Sequence, residues 1–275
     1  MRKNKSLSVI VFIVLLLGSI PMILPFIWMV STSLKSLSST MIFPPEFFPK
    51  SPRWQNYTEL FSLVPIKDWF LNSIFLSVVN SVGIIISSLI VAFGFVVLNF
   101  KFKDVLFIIL LSTMMIPFEA IMIPQYILFN FFGWVNTLYP LWVPSFFGSA
   151  YMIFFARQFF KTISKNYVDA AKIDGANYWQ IFYKIFIPLS YPVIVTIGLL
   201  TFINTWNYFL GPLIYLNTPS KMTIVSGLSF LSGQAFGYWN YIMAGSTLTI
   251  LPIIVLFLIT QKWIISGIAL QGELK

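Results

Sequence analysis

Apolar residues in this chain come in long unbroken runs, and the polar positions are confined to the gaps between them. The runs extend approximately from Ser8 to Ser33, Phe70 to Leu98, Val105 to Phe131, Leu138 to Phe160, Leu189 to Pro212 and Ile242 to Trp263. A hydrocarbon core about 30 Å thick is crossed by a helix of roughly 20 apolar residues, and each run reaches that size. Membrane strands would instead alternate inward and outward residues over segments of about ten, and no such alternation is present. The pattern predicts an all-α integral membrane protein with six transmembrane helices, because a helix satisfies its own backbone groups in lipid.

Composition agrees with that class. Of 275 residues, 58% are hydrophobic and 9% charged, with a mean hydropathy of +0.88, whereas a soluble domain carries about 25% charged residues. Cysteine and histidine are both absent. That removes disulfides, thiol chemistry, imidazole metal ligands and histidine proton relays from consideration. The first residues, MRKNKSLSVIVFIVLLLGSIPMILPF, have the basic head and apolar body of a signal peptide. Since the apolar body runs on past Pro21 and Pro25 without a small-x-small cleavage site, we read it as the first span.

The net charge of +9 falls in the loops and forms no stripe, so a nucleic-acid partner is not expected. Orientation in the membrane accounts for it. With the N-terminus inside, the inner segments hold Arg2, Lys3, Lys5, Lys101, Lys103, Arg157, Lys161, Lys165, Lys172, Lys184, Lys262 and Lys275, which is 12 of the 17 basic residues. Basic residues are retained on the cytoplasmic side, so both termini and the loop from Lys161 to Pro188 are expected in the cytoplasm. The loop at residues 34–69 is then extracytoplasmic. It contains FPPEFFPKSPRWQNY, a proline and aromatic cluster unsuited to regular helix, which reads either as a spacer or as a surface for an external partner. The Gly-, Ser- and aromatic-rich segment from Tyr215 to Tyr241 would lie on the same side.

The Lys161 to Pro188 loop is the long polar interruption of the second half, and it reads as two short helices joined at a sharp corner. Ser164 can cap the first, whose Tyr167, Ala170, Ala171 and Ile173 gather toward one side. Asp174-Gly175 ends it with a residue free to take positive φ. Asn177 followed by Gln180 has the spacing of a capping box for the second helix. That helix offers Trp179, Phe182, Ile185 and Phe186 before Pro188 stops it. Small residues at the knuckle, Ala170-Ala171 and Gly175-Ala176, would admit another protein's groove close to the backbone. Periodicity alone leaves an amphipathic hairpin on the lipid surface equally open.

The segment VDAAKIDGANYWQIFYKIFIPLSYP resembles the EAA-loop signature of ABC importer permeases. Asp169, Ala170 and Ala171 take the EAA places, with Asp169 where the family usually has glutamate. Asp174, Gly175 and Ala176 take the DGA places, and Ile185, Pro188, Leu189 and Pro192 the ending. FLNSIFLSV at the second span, FINTWNYFLGPLIYL after the loop and FLITQKWIISGIALQGELK at the end are similar to the maltose-type sugar permease group, so the resemblance covers most of the chain from about Phe70. It implies that Asp169, Ala170, Ala171, Asp174, Gly175 and Ala176 form a coupling helix seated on a separate ATPase dimer. It also implies a second, related permease subunit, an extracytoplasmic solute-binding protein and a carbohydrate or glycerol-phosphate-like cargo. ATP and magnesium would then belong to the ATPase. None of the 14 glycines is followed by lysine, so a Gly-Lys-Ser/Thr phosphate loop is missing from this chain.

Two polar features fall inside the spans. Glu119, in MMIPFEAIMIPQY, is flanked by Pro117 and Pro124. We read it as satisfying backbone groups freed in a broken helix, with a place in the substrate path as the alternative. Asn204, Trp206 and Asn207 in the fifth span could line the substrate path, amides bonding hydroxyls and the indole stacking on a sugar face, or could serve packing between helices. An ion-coupled secondary transporter would need more intramembrane titratable groups or inverted repeats than are found. A membrane enzyme would need convergent nucleophiles, acids or metal ligands. An ABC permease for a non-sugar solute is the remaining alternative.

Overall fold

The computed structural model describes the backbone of residues 5–234 and 238–272, and the side chains of residues 9–233 and 238–262. Arg2, Lys3 and Lys275, and the side chains of Lys5 and of the final motif beyond Lys262, lie outside the described residues. Among the described residues all regular structure is helical. The helices are α1 (Lys5–Ser33), α2 (Gln55–Leu63), α3 (Ile66–Val97), α4 (Lys103–Ser112), α5 (Phe118–Phe131), α6 (Tyr139–Trp142) and α7 (Ala150–Phe160). They continue as α8 (Lys165–Ile173), α9 (Tyr178–Ile181), α10 (Ile187–Leu189), α11 (Tyr191–Trp206), α12 (Leu210–Tyr215), α13 (Ile224–Gln234) and α14 (Trp239–Gly272).

Three helices are long and apolar enough to cross a membrane: Val9–Ser33, Ile66–Val97 and Trp239–Lys262. Two bent pairs raise the number to five if each is one span. The first joins Lys103–Met115 to Phe118–Phe131 at 95°, and the second joins Tyr178–Leu189 to Tyr191–Trp206 at 77°. The expected span from Leu138 to Phe160 differs from the others. It is divided into α6, a 3-10 turn at Val143–Phe147 and α7, with Gly148 at φ +96° between the last two. Such a break frees carbonyls, and α3 supplies donors for two of them. Asn80 Nδ2 donates to Leu141 O at 2.9 Å, and Ser87 Oγ donates to Ser145 O at 3.2 Å. Irregular backbone inside an apolar protein is tolerable where neighbouring side chains complete its hydrogen bonds in this way.

The chain forms two compact units. One comprises the described part of residues 1–67 together with 227–251. Here the proline and aromatic segment is not helical until α2 begins at Gln55, as its composition predicts. It is folded against the end of α1: Lys35 Nζ donates to Glu46 O at 2.6 Å and lies 4.1 Å from the centroid of Trp28, while Ser31 Oγ donates to Phe47 O. Asn56 is fully buried and donates through Nδ2 to Ser33 O at 2.7 Å and Lys35 O at 2.8 Å. Its Oδ1 accepts from Asn240 Nδ2 of α14 at 3.2 Å.

The second unit comprises 68–226 and the described part of 252–275. Its core joins Ile84, Leu89, Ala92 and Phe93 of α3 to Met152, Ala156 and Phe160 of α7 and to Ile181, Phe186, Val193 and Ile197. A stripe of small residues on α3 lets other backbone approach. A Cβ on Gly83 would stand 2.6 Å from Ser145 Oγ, so the 3-10 turn could not pack there against any larger residue. At its N-terminal end α3 is tied to the segment 219–224 by Trp69 Nε1 donating to Pro219 O at 2.7 Å and by Ser73 Oγ accepting from the Ile224 N–H at 2.8 Å.

Candidate functional site

The elbow between α8 and α9 is built from local rules. Ser164 Oγ accepts from the Asn166 N–H at 3.3 Å and opens α8. At the other end the Ala176 N–H donates to Ala171 O at 2.9 Å and the Gly175 N–H to Lys172 O at 3.0 Å. That pair of bonds is the Schellman C-cap, which requires a left-handed residue after the helix. Gly175 meets the requirement at φ +77°. Asn177 then starts α9 through a reciprocal capping box: its Oδ1 accepts from the Gln180 N–H at 2.9 Å, and its own N–H donates to Gln180 Oε1 at 2.8 Å. Every corner signal read from the sequence is therefore in place.

The faces of the elbow differ from the expected ones. Val168, Ala171 and Ala176 turn inward onto the core of Phe93, Phe160, Ile181 and Phe186. Tyr167 and Ile173, expected on the same side as Ala171, are instead exposed, Ile173 at 86%. On the second helix Ile181 and Phe186 are buried at 1%, while Trp179 is 64% exposed. Helical spacing groups side chains but does not say which group faces the core, and a Schellman turn selects the inward face through its flanking contact. Asp169, Ala170, Asp174 and Gly175 are all exposed. A Cβ added at Gly175 would meet nothing within 4 Å. The elbow thus presents a thin backbone corner rimmed by Tyr167, Ile173, Tyr178 and Trp179, an exposed apolar rim around a close-approach point.

Pro188 does not stop the second helix. Helical backbone continues through α10 to Leu189. A π-helical turn at Phe182–Phe186, closed by the Ile187 N–H to Phe182 O, widens the coil just before the proline. The break comes at Ser190, where the chain turns into α11. Phe186 holds this stretch by edge-on ring contacts, with centroids 5.0 Å from both Phe93 and Phe160.

The proposed substrate-path residues differ in their exposure. Trp206 is fully buried, stacked on Phe202 at 5.8 Å with Phe70 edge-on at 5.5 Å, so its ring faces are covered. Asn204 and Asn207 are exposed, and Asn207 Nδ2 donates to Ile203 O at 2.9 Å. Glu119 lies in the first turn of α5, just after the 95° bend, where a carboxylate suits the helix dipole. The N-cap position of α5 is Pro117, which offers no side-chain cap hydrogen bond. Glu119 is exposed and within electrostatic reach of Tyr208, whose ring contacts Phe118 at 6.3 Å. Among the described residues no cluster of carboxylates could hold a metal ion. The sequence reading missed the buried Ile181 anchor and the exposed Ile173; a rule for which face a capped helix buries would have found both.

Known proteins resemble the chain along nearly its whole length. It is 32% identical over 88% of its length to the arabinooligosaccharides transport system permease protein AraQ of Halalkalibacterium halodurans, covering 85% of that protein. It is 29% identical to the lactose transport system permease protein LacG of Rhizobium radiobacter, covering 94% of each. With the sn-glycerol-3-phosphate transport system permease protein UgpE of Yersinia pestis it shares 27% identity over 97% of this chain and 98% of the other. A chain from the crystal structure of a bacterial ABC transporter involved in import of the acidic polysaccharide alginate superposes with a TM-score of 0.80 at 23% identity, covering 95% of this chain and 98% of that one. Residues 83–269, including the elbow and both bent pairs' second helices, match the family described as the inner membrane component of binding-protein-dependent transport systems, and the chain belongs to that family.

Proposed function

We propose that the chain is one permease subunit of an ATP-driven importer for carbohydrate, crossing the bacterial cytoplasmic membrane six times with both termini inside. The crossings would be the three long helices, the two bent pairs and the broken segment 139–160. The observation that carries the reading is the Gly175 elbow: an exposed corner with open space around it, backed by residues anchored to α3 and α7. On this reading the elbow seats in a groove of a separate ATPase. Closure of two such subunits tilts α7 and α11 through Phe160, Phe186 and Val193, and a cavity shared with a second permease subunit opens to alternate sides. An external binding protein delivers cargo to the side carrying residues 34–69. Asn204, Asn207 and Glu119 remain the candidates for contact with cargo. Trp206 would act by supporting α11 from behind.

The cargo class follows from relatives named for arabinooligosaccharides and lactose. The test is uptake of labelled sugars, with sn-glycerol-3-phosphate in the same panel, by the complex reconstituted with its ATPase and binding protein. Uptake should stop with vanadate and persist with a proton uncoupler. Uptake that follows the proton gradient and ignores vanadate would overturn the proposal.

A further inference from the structure

Beside the elbow, and separate from its corner, lies a cavity of about 460 Å³. Its wall carries five cations, Lys103, Arg157, Lys161, Lys165 and Lys172. Against them stand the carboxylates of Asp104 and Asp169, leaving a surplus of three positive charges. Arg157 is the residue that distinguishes this cavity from a scatter of solvated lysines. It is only 8% exposed, its guanidinium carbon sits 3.8 Å from the centroid of Phe107, and its Nε is buried without a hydrogen-bond partner. Among the described residues the ion pairs are Glu46–Lys50 and Glu59–Arg53, so neither Asp104 nor Asp169 neutralises it. A buried guanidinium with an unmet donor is costly unless an anion completes it. Its planar fork matches phosphate oxygens.

The rest of the wall fits a ligand with an apolar side. Phe95, Val96 and Val97 from the end of α3, with Ile163, Val168 and Phe186, line the same space. Lys103 is already committed, donating to Leu98 O at 2.8 Å, so it closes the end of α3 and adds charge without needing the ligand as acceptor. A free inorganic anion would leave the apolar wall bare, whereas a phosphodiester carrying acyl chains covers both halves.

We propose that this cavity binds a phosphate-bearing anion, with the headgroup of an anionic phospholipid of the cytoplasmic leaflet as its source. The side of the membrane rests on the orientation proposed above. Binding there would clamp α4, α7 and α8 together beside the elbow, so lipid charge would set how firmly the elbow is held.

The test uses the assembled complex in nanodiscs of phosphatidylcholine with or without phosphatidylglycerol, with retained lipids counted by native mass spectrometry. Phosphatidylglycerol should be retained over phosphatidylcholine. Lys161→Gln with Lys165→Gln, both exposed, should weaken retention about 25-fold, taking about fivefold for each lysine near an anionic surface. Arg157→Gln should abolish the preference. The equally charged control Lys50→Gln with Lys67→Gln should not change it. A parallel titration of the detergent complex with inorganic phosphate separates the sources: a larger thermal shift from phosphate than from phosphatidylglycerol would identify free phosphate, and the reverse the lipid. Equal retention of the two lipids without any response to phosphate would overturn the proposal, as would an equal loss in the control pair. Assembly and vanadate-sensitive uptake are measured on the same preparations, so a complex that transports yet shows no lipid preference refutes the anion site alone.

Discussion

Phe93 of α3 meets Phe186, eight residues past the start of the elbow's second helix, edge-on with ring centroids 5.0 Å apart. Phe186 also meets Phe160 at the end of α7 at the same distance. One ring therefore joins a long membrane helix, the helix entering the elbow and the helix leaving it.

Phe186→Ala should destabilise the unit by about 3–5 kcal/mol, the range for emptying a buried aromatic site. Thermal melting of the purified chain in detergent measures this. If the ring transmits force, Phe186→Leu, which keeps most of the volume, should restore melting more fully than it restores uptake.

Substitutions at Gly175 would separate folding from the proposed docking. The φ of +77° there makes any L-residue strained, so Gly175→Ala should lose about 1–2 kcal/mol, and Gly175→Asn less because asparagine tolerates that region. Since a Cβ there meets nothing within this chain, Gly175→Trp should melt near Gly175→Ala. Uptake should nevertheless fall much further for the tryptophan. Equal uptake for the two would remove the docking role.

The reciprocal bonds of Asn177 and Gln180 act as a unit. Asn177→Ala should lose about 1 kcal/mol, the usual value for an N-cap. Gln180→Ala should lose less, and the double variant less than the two single losses combined, because either change breaks the box. A double-mutant cycle on melting temperature reads this directly.

Glu59 predicts acid sensitivity in the first unit. The Tyr241 hydroxyl donates to its Oε2 at 2.6 Å and Arg53 to its Oε1 at 2.7 Å, and these, in that order, hold its carboxyl below the ordinary 4.5. A depressed carboxylate contributes stability that is complete above the unfolded value and is lost as pH falls through the folded one. Melting should therefore be flat from pH 7 to about 5 and decline below the ordinary carboxylate value. Glu59→Gln should flatten that decline; an unchanged profile in the variant would assign the acid response elsewhere.

The elbow was legible because its determinants are local. Ser164, Gly175, Asn177 and Gln180 each act on backbone groups within five residues, so spacing in the sequence is nearly the whole geometry. Apolar runs were likewise legible as helices, since lipid demands internally satisfied backbone whatever the neighbours do.

What spacing could not supply was the partner of each face. Ile173 and Ala171 sit two residues apart on one helix, yet only the packing of Phe93, Phe160 and Phe186 decides that alanine goes inward. The division of residues 139–160 into three short helices depends on Asn80 and Ser87, about 60 residues away, to receive its carbonyls. Trp206 lost its open ring faces to Phe70 and Phe202 for the same reason. The residues of the chain alone determine that it is helical, membrane-spanning and cornered at Gly175, because those outcomes need only hydropathy and neighbouring backbone bonds. Burial, bends and the buried charge of Arg157 arise from contacts between distant segments, and only the tertiary structure decides them.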